Sequence, residues 1–221
     1  MTPTVVAFVP SAPLLVPPVA GGSASLDNDL RLACLDAVSR ALESDPDEVV
    51  VVAAISTAGS WDDGHTWDFA GFGVRRRPAD ERPSLPWPLG IGAWLLDECG
   101  WSGGRRYVGV GDDDEPALEV TDRSVVVAVA DGTACRTERA PGHLDPRAEE
   151  FDDAIADVLT GGDAAGFADI DQPLARELLC SGVPVWQSVA VAAGGSAVAR
   201  AELLTHVAPY GVGYFVALWW F

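Results

Sequence analysis

Apolar residues along this chain fall into two patterns, unbroken runs and runs with a period near that of a helix. "TVVAFV" (4–9), "EVVVVAAIS" (48–56), "RYVGVGD" (106–112) and "SVVVAVAD" (124–131) are nearly continuous and rich in valine. Such runs suit strands covered on both faces, because a strand with one wet face alternates. In "DNDLRLACLDAVSRALES" (27–44), Leu30, Cys34, Val38 and Ala41 return to one helical face, with Leu35 and Leu42 beside them. A short helix is predicted in "LGIGAWLLDECG" (89–100), closed by Gly100. A longer one is predicted in "PRAEEFDDAIADVL" (146–159), with Pro146 in its first turn and Phe151, Ile155 and Val158 facing inward. Further helices are predicted at 163–169 and 173–181. "AVARAELLTHVA" (197–208) and "GVGYFVALWW" (211–220), around "PYG", read as a closing pair of strands.

Strands that alternate with helices predict an α/β fold, a single-domain αβα sandwich over residues 1–221 with a mostly parallel or mixed central sheet. With 221 residues, 48% of them hydrophobic, one sizeable core can be buried. In such sheets ligands sit beyond the carboxyl ends of the strands, so the loops after 4–9, 48–56 and 124–130 are the places to look for chemistry. Residues 57–88, rich in Gly, Pro, Asp and Trp, read as one long irregular segment, of the kind that is functional or mobile.

Charge narrows the choice of partners. The formal net charge is −19 and all 14 basic residues are arginine, so no basic face is expected for nucleic acid or an anionic membrane. Cys34, Cys99, Cys135 and Cys180 have no paired spacing and predict reduced thiols in a cytoplasmic protein. The opening "MTPTVVAFVPSAPLLVPPVAGG" lacks a basic leader, and prolines interrupt its apolar run. It reads as neither signal peptide nor spanning helix.

Five stretches, "VPSAPLLVPPV", "VVVVAAISTAG", "ADGTACRTERAPGHLDPRAEEFDDAI", "CSGVPVW" and "PYGVGYFVA", follow one another in this order. Together they resemble the landmarks of the class III extradiol dioxygenase catalytic-subunit superfamily, the LigB type that includes the Memo proteins, and most of all its short actinobacterial members. The resemblance spans nearly the whole chain; the 130–155 block and the "PYGVGYFVA" ending are its specific parts. It implies the phosphorylase/hydrolase-like layer plan of LigB proteins. In catechol-cleaving members it also implies Fe(II) held by two histidines and a carboxylate, with a further histidine as acid and base.

At the positions that match, this chain departs from that pattern. Ser11 stands where the first histidine falls, Ala58 where the second does, and Ala134, or Cys135 one residue later, where the catalytic histidine does. Cys180 precedes the "G..P" element at the place of the third ligand. A hydroxyl and a methyl group supply no neutral nitrogen donor, so the expectation is a protein with no cofactor that has lost the Fe(II) site and ring cleavage and now binds a small molecule or a partner. The alternative is an active metal-dependent enzyme on a catechol-like substrate that recruits His65, His143 or Cys180 around Fe(II), or a metal-free one using Arg136 and Cys135.

The pocket candidates are Ser11, Ser56, Asp131, Thr133 and Cys135 at the strand-end loops, joined by Arg136 and His143 further along, and by Cys180, Trp186 and Tyr210. A small aromatic molecule is the expected ligand. His65, in "WDDGHTWD", reads as a solvated loop tip, with a metal or acid–base role as the alternative. His143 reads as a turn residue bonded to Asp145, and His206 as structural. Cys135 and Cys180 read as small buried thiols, with a redox pair or soft-metal site as the alternative. Arg136, Arg139 and Arg147 either clamp an anion or pair with Glu138, Glu149 and Glu150. "GVGDDDEPALEVTD" lacks calcium-loop spacing and "GFGVRRRPADERP" lacks a phosphate-loop context. Trp61, Trp67 and Trp87 are candidates to line an aromatic pocket or an oligomer interface. The apolar "ALWWF" ending suggests a homodimer, and a separate small chain that closes the site, as in some family members, stays open.

Overall fold

The structure is a computed structural model that describes residues 1–21, 25–74, 81–111 and 117–221, without the side chains of 25–27. The Arg75–Arg77 triplet and the acidic run 112–116 lie outside the described residues. Among the described residues one seven-stranded mixed sheet runs through the chain. Its strands are β1 (Val5–Val9), β2 (Glu48–Ala54), β3 (Gly59–Asp62), β4 (Gly104–Val110), β5 (Ser124–Val129), β6 (Arg200–Val207) and β7 (Tyr214–Trp220), in the order β3-β4-β2-β5-β1-β7-β6. The central four, β4, β2, β5 and β1, are parallel; β3, β7 and β6 are antiparallel to their neighbours.

The valine runs are explained by helices on both faces. After the short α1 (Pro17–Ala20), α2 (Ser25–Leu42) and α3 (Trp87–Glu98) cover one face, packing on Val5, Ala7, Val49, Val51 and Val127. The other face, with Val6, Phe8, Val50, Val52 and Val126, is covered by α4 (Arg147–Gly161) and α6 (Val183–Ala193), with α5 (Gln172–Glu177) between them in sequence. The α/β sandwich expected from the sequence is the fold observed. No helix among the described residues is long and apolar enough to cross a membrane.

Three expectations need correction. The segment 57–88 is not wholly irregular, because β3 pairs with β4 along its first residues. Helix α6 has no counterpart in the sequence pattern: "VPVWQSVAVAA" is apolar nearly all round and shows no amphipathic period, since it is buried against the sheet and the 3-10 turn Ala164–Asp169. The inner face of α4 is turned by about one residue from the expected one. Asp152, Ile155, Ala156 and Leu159 are buried, while Phe151 and Val158 are only partly covered.

The closing "ALWWF" is internal through Trp219. β7 lies between β1 and β6; Trp219 is fully buried and its indole N–H donates to the Leu159 carbonyl at 2.7 Å. Trp220 packs beneath the guanidinium groups of Arg40 and Arg200, 5.3 and 4.6 Å from its ring centre. Ala217, Leu218 and Trp219 are thus covered within one chain, while Trp220 and Phe221 are partly exposed. Of the loop tryptophans, Trp67 donates to Asp97 at 2.9 Å and stacks on Phe69, while Trp87 meets Phe72 edge-on at the start of α3. Trp61 sits in the edge strand β3 and packs, like Trp67, against the core on the α2/α3 face of the sheet.

Helix α3 approaches the sheet closely at Gly92. A Cβ there would stand 2.4 Å from Val51 Cγ1, so the usual helix-stabilising effect of alanine is outweighed by overpacking. Gly92→Ala is expected to lower unfolding stability by about 1–3 kcal/mol in urea titrations; an unchanged or raised midpoint would contradict this packing.

Candidate functional site

The parallel strands β1, β5 and β2 end side by side, with Val9 opposite Val129 and Val129 opposite Ala53. The chain leaving β5 is the most heavily bonded part of this edge. Ala130 N–H donates to the Val9 carbonyl at 2.9 Å, and the segment 132–136 is then held from both sides. On one side Gly132 N–H donates to the Gly213 carbonyl, Gly213 N–H to Thr133 and Arg136 N–H to Gly211, at 2.8, 2.8 and 3.0 Å. On the other, Ala134 N–H donates to the Leu178 carbonyl at 2.9 Å. The "PYGVGYF" stretch and the loop after α5 thus grip the loop that the sequence singles out.

A buried acid fixes this arrangement. Asp152, fully buried on α4, accepts from Thr133 N–H at 2.9 Å, Thr133 Oγ1 at 3.0 Å and Arg136 Nη1 at 3.1 Å. Glycine is required at Gly132 and Gly213 because a Cβ would come within 2.6 and 2.3 Å of the Asp152 oxygens. Burial pushes the Asp152 carboxyl up, opposed by the hydrogen bonds from Thr133 and Arg136. Arg136 also donates to Glu149 at 3.0 Å, and Arg147 is held by Asp145 and Glu177. Of the pairings expected for these arginines, Arg136–Glu149 is present. Asp152, the deepest partner, is not evident from the sequence, whose apolar pattern turns Phe151 inward instead.

Beside this clamp lies a second acid in different surroundings. Asp131, the second residue after β5, accepts the Ser11 N–H through Oδ1 at 2.7 Å. Its Oδ2 accepts nothing among the described residues and is not sealed from solvent. Burial pushes the carboxyl up to about 7, with the Ser11 N–H as the opposing pull. The Cys180 thiol reaches the Asp131 carbonyl at 3.7 Å, and burial pushes that thiol far up. Ser11, Asp131 and Cys180 therefore meet at the ends of β1 and β5.

The remaining candidates separate from this group. Ile55 N–H donates to Val110, so the chain leaving β2 turns toward β4 and carries exposed Ser56 and Ala58 into the β2–β3 turn. Cys135 donates to the Leu178 carbonyl at 3.3 Å, its thiol pushed up by burial and by Asp145. Both thiols are protonated donors rather than thiolates. Trp186 is buried, stacked on Phe167 and met edge-on by Phe215, and lines no open surface. Tyr210 is exposed beside Gly211.

Each histidine is accounted for separately. His143 is exposed, with φ 58°, and its ring bonds the Glu138 carbonyl at 3.2 Å instead of Asp145, whose carboxylate is occupied by Arg147. His65 pairs with Asp62 at 3.0 Å. It follows β3, which runs back toward the opposite end of the sheet three strands from β5, so it is remote from Ser11 and Asp131. His206 stacks on Phe215 with ring centres 4.6 Å apart, and its buried Nε2 has no partner among the described residues. Burial holds its pKa down.

A two-histidine-one-carboxylate Fe(II) site does not fit these residues. Ala58 and Ala134 have no donor atom, and Ser11, Asp131 and Cys180 bring one hydroxyl, one carboxyl and one protonated thiol. Among the described residues no three His, Cys, Asp or Glu side chains are grouped to hold a metal ion.

What the fold defines is an α/β sandwich whose most elaborated loops lie at the carboxyl ends of its central strands. Among solved structures it is similar to that of the uncharacterized protein JW3007 from Escherichia coli K12, with a TM-score of 0.56 and 13% sequence identity over 99% of this chain and 100% of that one. At that identity the likeness shows the fold alone. No family model and no curated protein matches the chain.

Two outcomes follow from the two acids. Asp152→Ala leaves Thr133 N–H without its acceptor and takes from a largely buried guanidinium its only buried partner, Glu149 alone remaining, and is expected to cost about 3–5 kcal/mol of stability in chemical denaturation; a cost below that of an ordinary surface change would show that the clamp is not built this way. Asp131 lacks such a set of donors. Its folded pKa lies above the ordinary 3.8, so the folded state binds the extra proton and stability falls as pH rises from about 4 through about 7. Asp131→Asn removes that penalty, and its melting temperature relative to the unsubstituted protein is expected to be higher at pH 8 than at pH 5. A difference that does not change with pH would refute it.

Proposed function

We propose that this protein is a small-molecule-binding relative of the LigB-type extradiol dioxygenases that has lost the Fe(II) site and ring cleavage. The observation that carries this reading is the chemistry of the three strand-end positions. Ser11, Ala58 and Ala134 stand where the resemblance calls for histidines, and Ser56 and Ala58 turn away toward β4. The loop architecture around them is nonetheless elaborate: Asp152, Gly132, Gly213 and Arg136 hold the 131–136 segment in one conformation. A binding role uses a preorganised edge of this kind without the metal. His65 follows β3, three strands from β5, and among the described residues no three His, Cys, Asp or Glu side chains are grouped to hold a metal ion, so a replacement ligand set has no support here. We also place the protein in the cytoplasm, in keeping with its four free cysteines.

Metal content tests this directly. Protein purified without a histidine tag, loaded with Fe(II) under anaerobic conditions and desalted, is expected to keep only a small fraction of an iron per chain and to consume no oxygen with a panel of catechols. Near-stoichiometric iron that survives desalting, or catechol-dependent oxygen uptake, would overturn the reading.

A further inference from the structure

Among the described residues, His206 Nε2 is the one buried side-chain nitrogen or oxygen with no hydrogen-bond partner. The residue lies near the end of β6, an edge strand of the sheet, just past the shift in register with β7 between Leu203 and Thr205. Its ring rests on Phe215, its cross-strand partner, with centres 4.6 Å apart and planes inclined by 23°. The other nitrogen, Nδ1, stands 3.8 Å from Asp153 Oδ1 on α4, too far for a hydrogen bond but only a small ring movement from one. The charged groups that face the ring are Glu149, Asp152 and Asp153 from α4 and Arg136 from the loop after β5. Asp152 and Glu149 are both bonded to Arg136, so Asp153, whose side chain is mostly exposed, is the acid left to receive the imidazole.

A neutral imidazole with its proton on Nδ1 leaves only a lone pair unsatisfied at Nε2. Protonation makes Nε2 a charged donor shut away from any acceptor, which costs far more. The side chain is 19% exposed at the sheet edge, so the ring can find relief by turning outward to water and Asp153, which breaks its stack on Phe215. Phe215 is wedged against the loop after β5: a Cβ on Gly132 would stand 2.7 Å from Phe215 Cε2 and 2.6 Å from Asp152 Oδ1. We propose that His206 is a proton-operated latch, whose charging releases β6 from α4 and Phe215 and, through Phe215, loosens the loop after β5. A histidine that moves between a buried stack and an exposed acid is a two-state element of the kind that pH sensors use. Burial holds the folded pKa of His206 below its ordinary 6.5, so the released form takes up the proton first. The closed arrangement therefore has its full stability above about pH 6.5 and weakens as pH falls from there toward the folded pKa. The inference does not depend on the small-molecule reading above.

Backbone amide hydrogen exchange on the full chain between pH 8 and pH 5 tests the latch, read as protection factors so that the pH dependence of the intrinsic rates cancels. Protection of the β6 amides paired with β7, and of Gly132 and Thr133, is expected to fall about tenfold or more toward pH 5, the scale of one buried donor left unpaired. Amides of β2, at the centre of the sheet, are expected to keep theirs. His206→Phe retains a ring against Phe215 but takes up no proton, and is expected to remove the pH dependence from β6. Asp131 titrates in the opposite sense in both proteins, so the difference between them isolates His206. Flat β6 protection over this range, or an equal fall in His206→Phe, would overturn the latch. Loosening of β6 while Gly132 and Thr133 stay protected would overturn the coupling through Phe215. Should the variant not fold, the unsubstituted protein decides alone: a fall in β6 protection that sets in near pH 6.5 supports the latch, and its absence above pH 5 overturns it.

Discussion

The carboxyl of Asp152 is the interaction on which the functional edge depends. One buried side chain on α4 gathers the Thr133 N–H, the Thr133 hydroxyl and the Arg136 guanidinium, and two glycines from different loops make room for it. Such a group is stable only when its donors are all in place. The loop after β5, the stretch around Gly213 and the first turns of α4 are consequently fixed relative to one another by contacts within the chain.

That rigidity explains how a second acid can be left incomplete. Asp131 is on the same loop, and its position follows from the backbone bonds of Ala130 and Gly132, not from its own side chain. The side chain contributes one tether to Ser11 and otherwise only a desolvation cost. The two acids differ: one is saturated and organises the loop, the other keeps a single backbone donor and an oxygen open to solvent. Cys180 lies beside Asp131 as a neutral thiol, so the immediate chemistry is that of a carboxyl and a weak donor.

Much of this is readable in the residues. The valine runs announce the central strands because a strand covered on both faces has no polar positions, and the order of strands and helices announces the layered fold. The period of α2 and the proline at the head of α4 are equally plain. What is hidden is hidden for physical reasons. Helix α6 is apolar on nearly every side, β3 is a four-residue edge strand inside a stretch crowded with turn residues, and Asp152 occupies an inward position where a pattern of phenylalanine and isoleucine draws the eye one residue away. Asp131 and Cys180 are recognisable as neighbours of the strand ends, but that one acid is saturated and the other left open depends on contacts between loops far apart in sequence.

The pairing of β7 with β1 carries a consequence for how the molecule is made. β1 lies in the interior of the sheet, and one of its two flanks is supplied by residues 214–220. During synthesis β1 can join β5 once residue 129 has emerged, but its other edge stays an unsatisfied row of amides and carbonyls, with Phe8 uncovered by Trp219, until nearly all of the described chain exists. Sheets completed by such distant segments fold slowly and present a sticky edge in the meantime. The last strand is thus the step that commits the molecule to its native state, and a nascent or truncated chain lacking it is the form most exposed to aggregation and to the cell's chaperones.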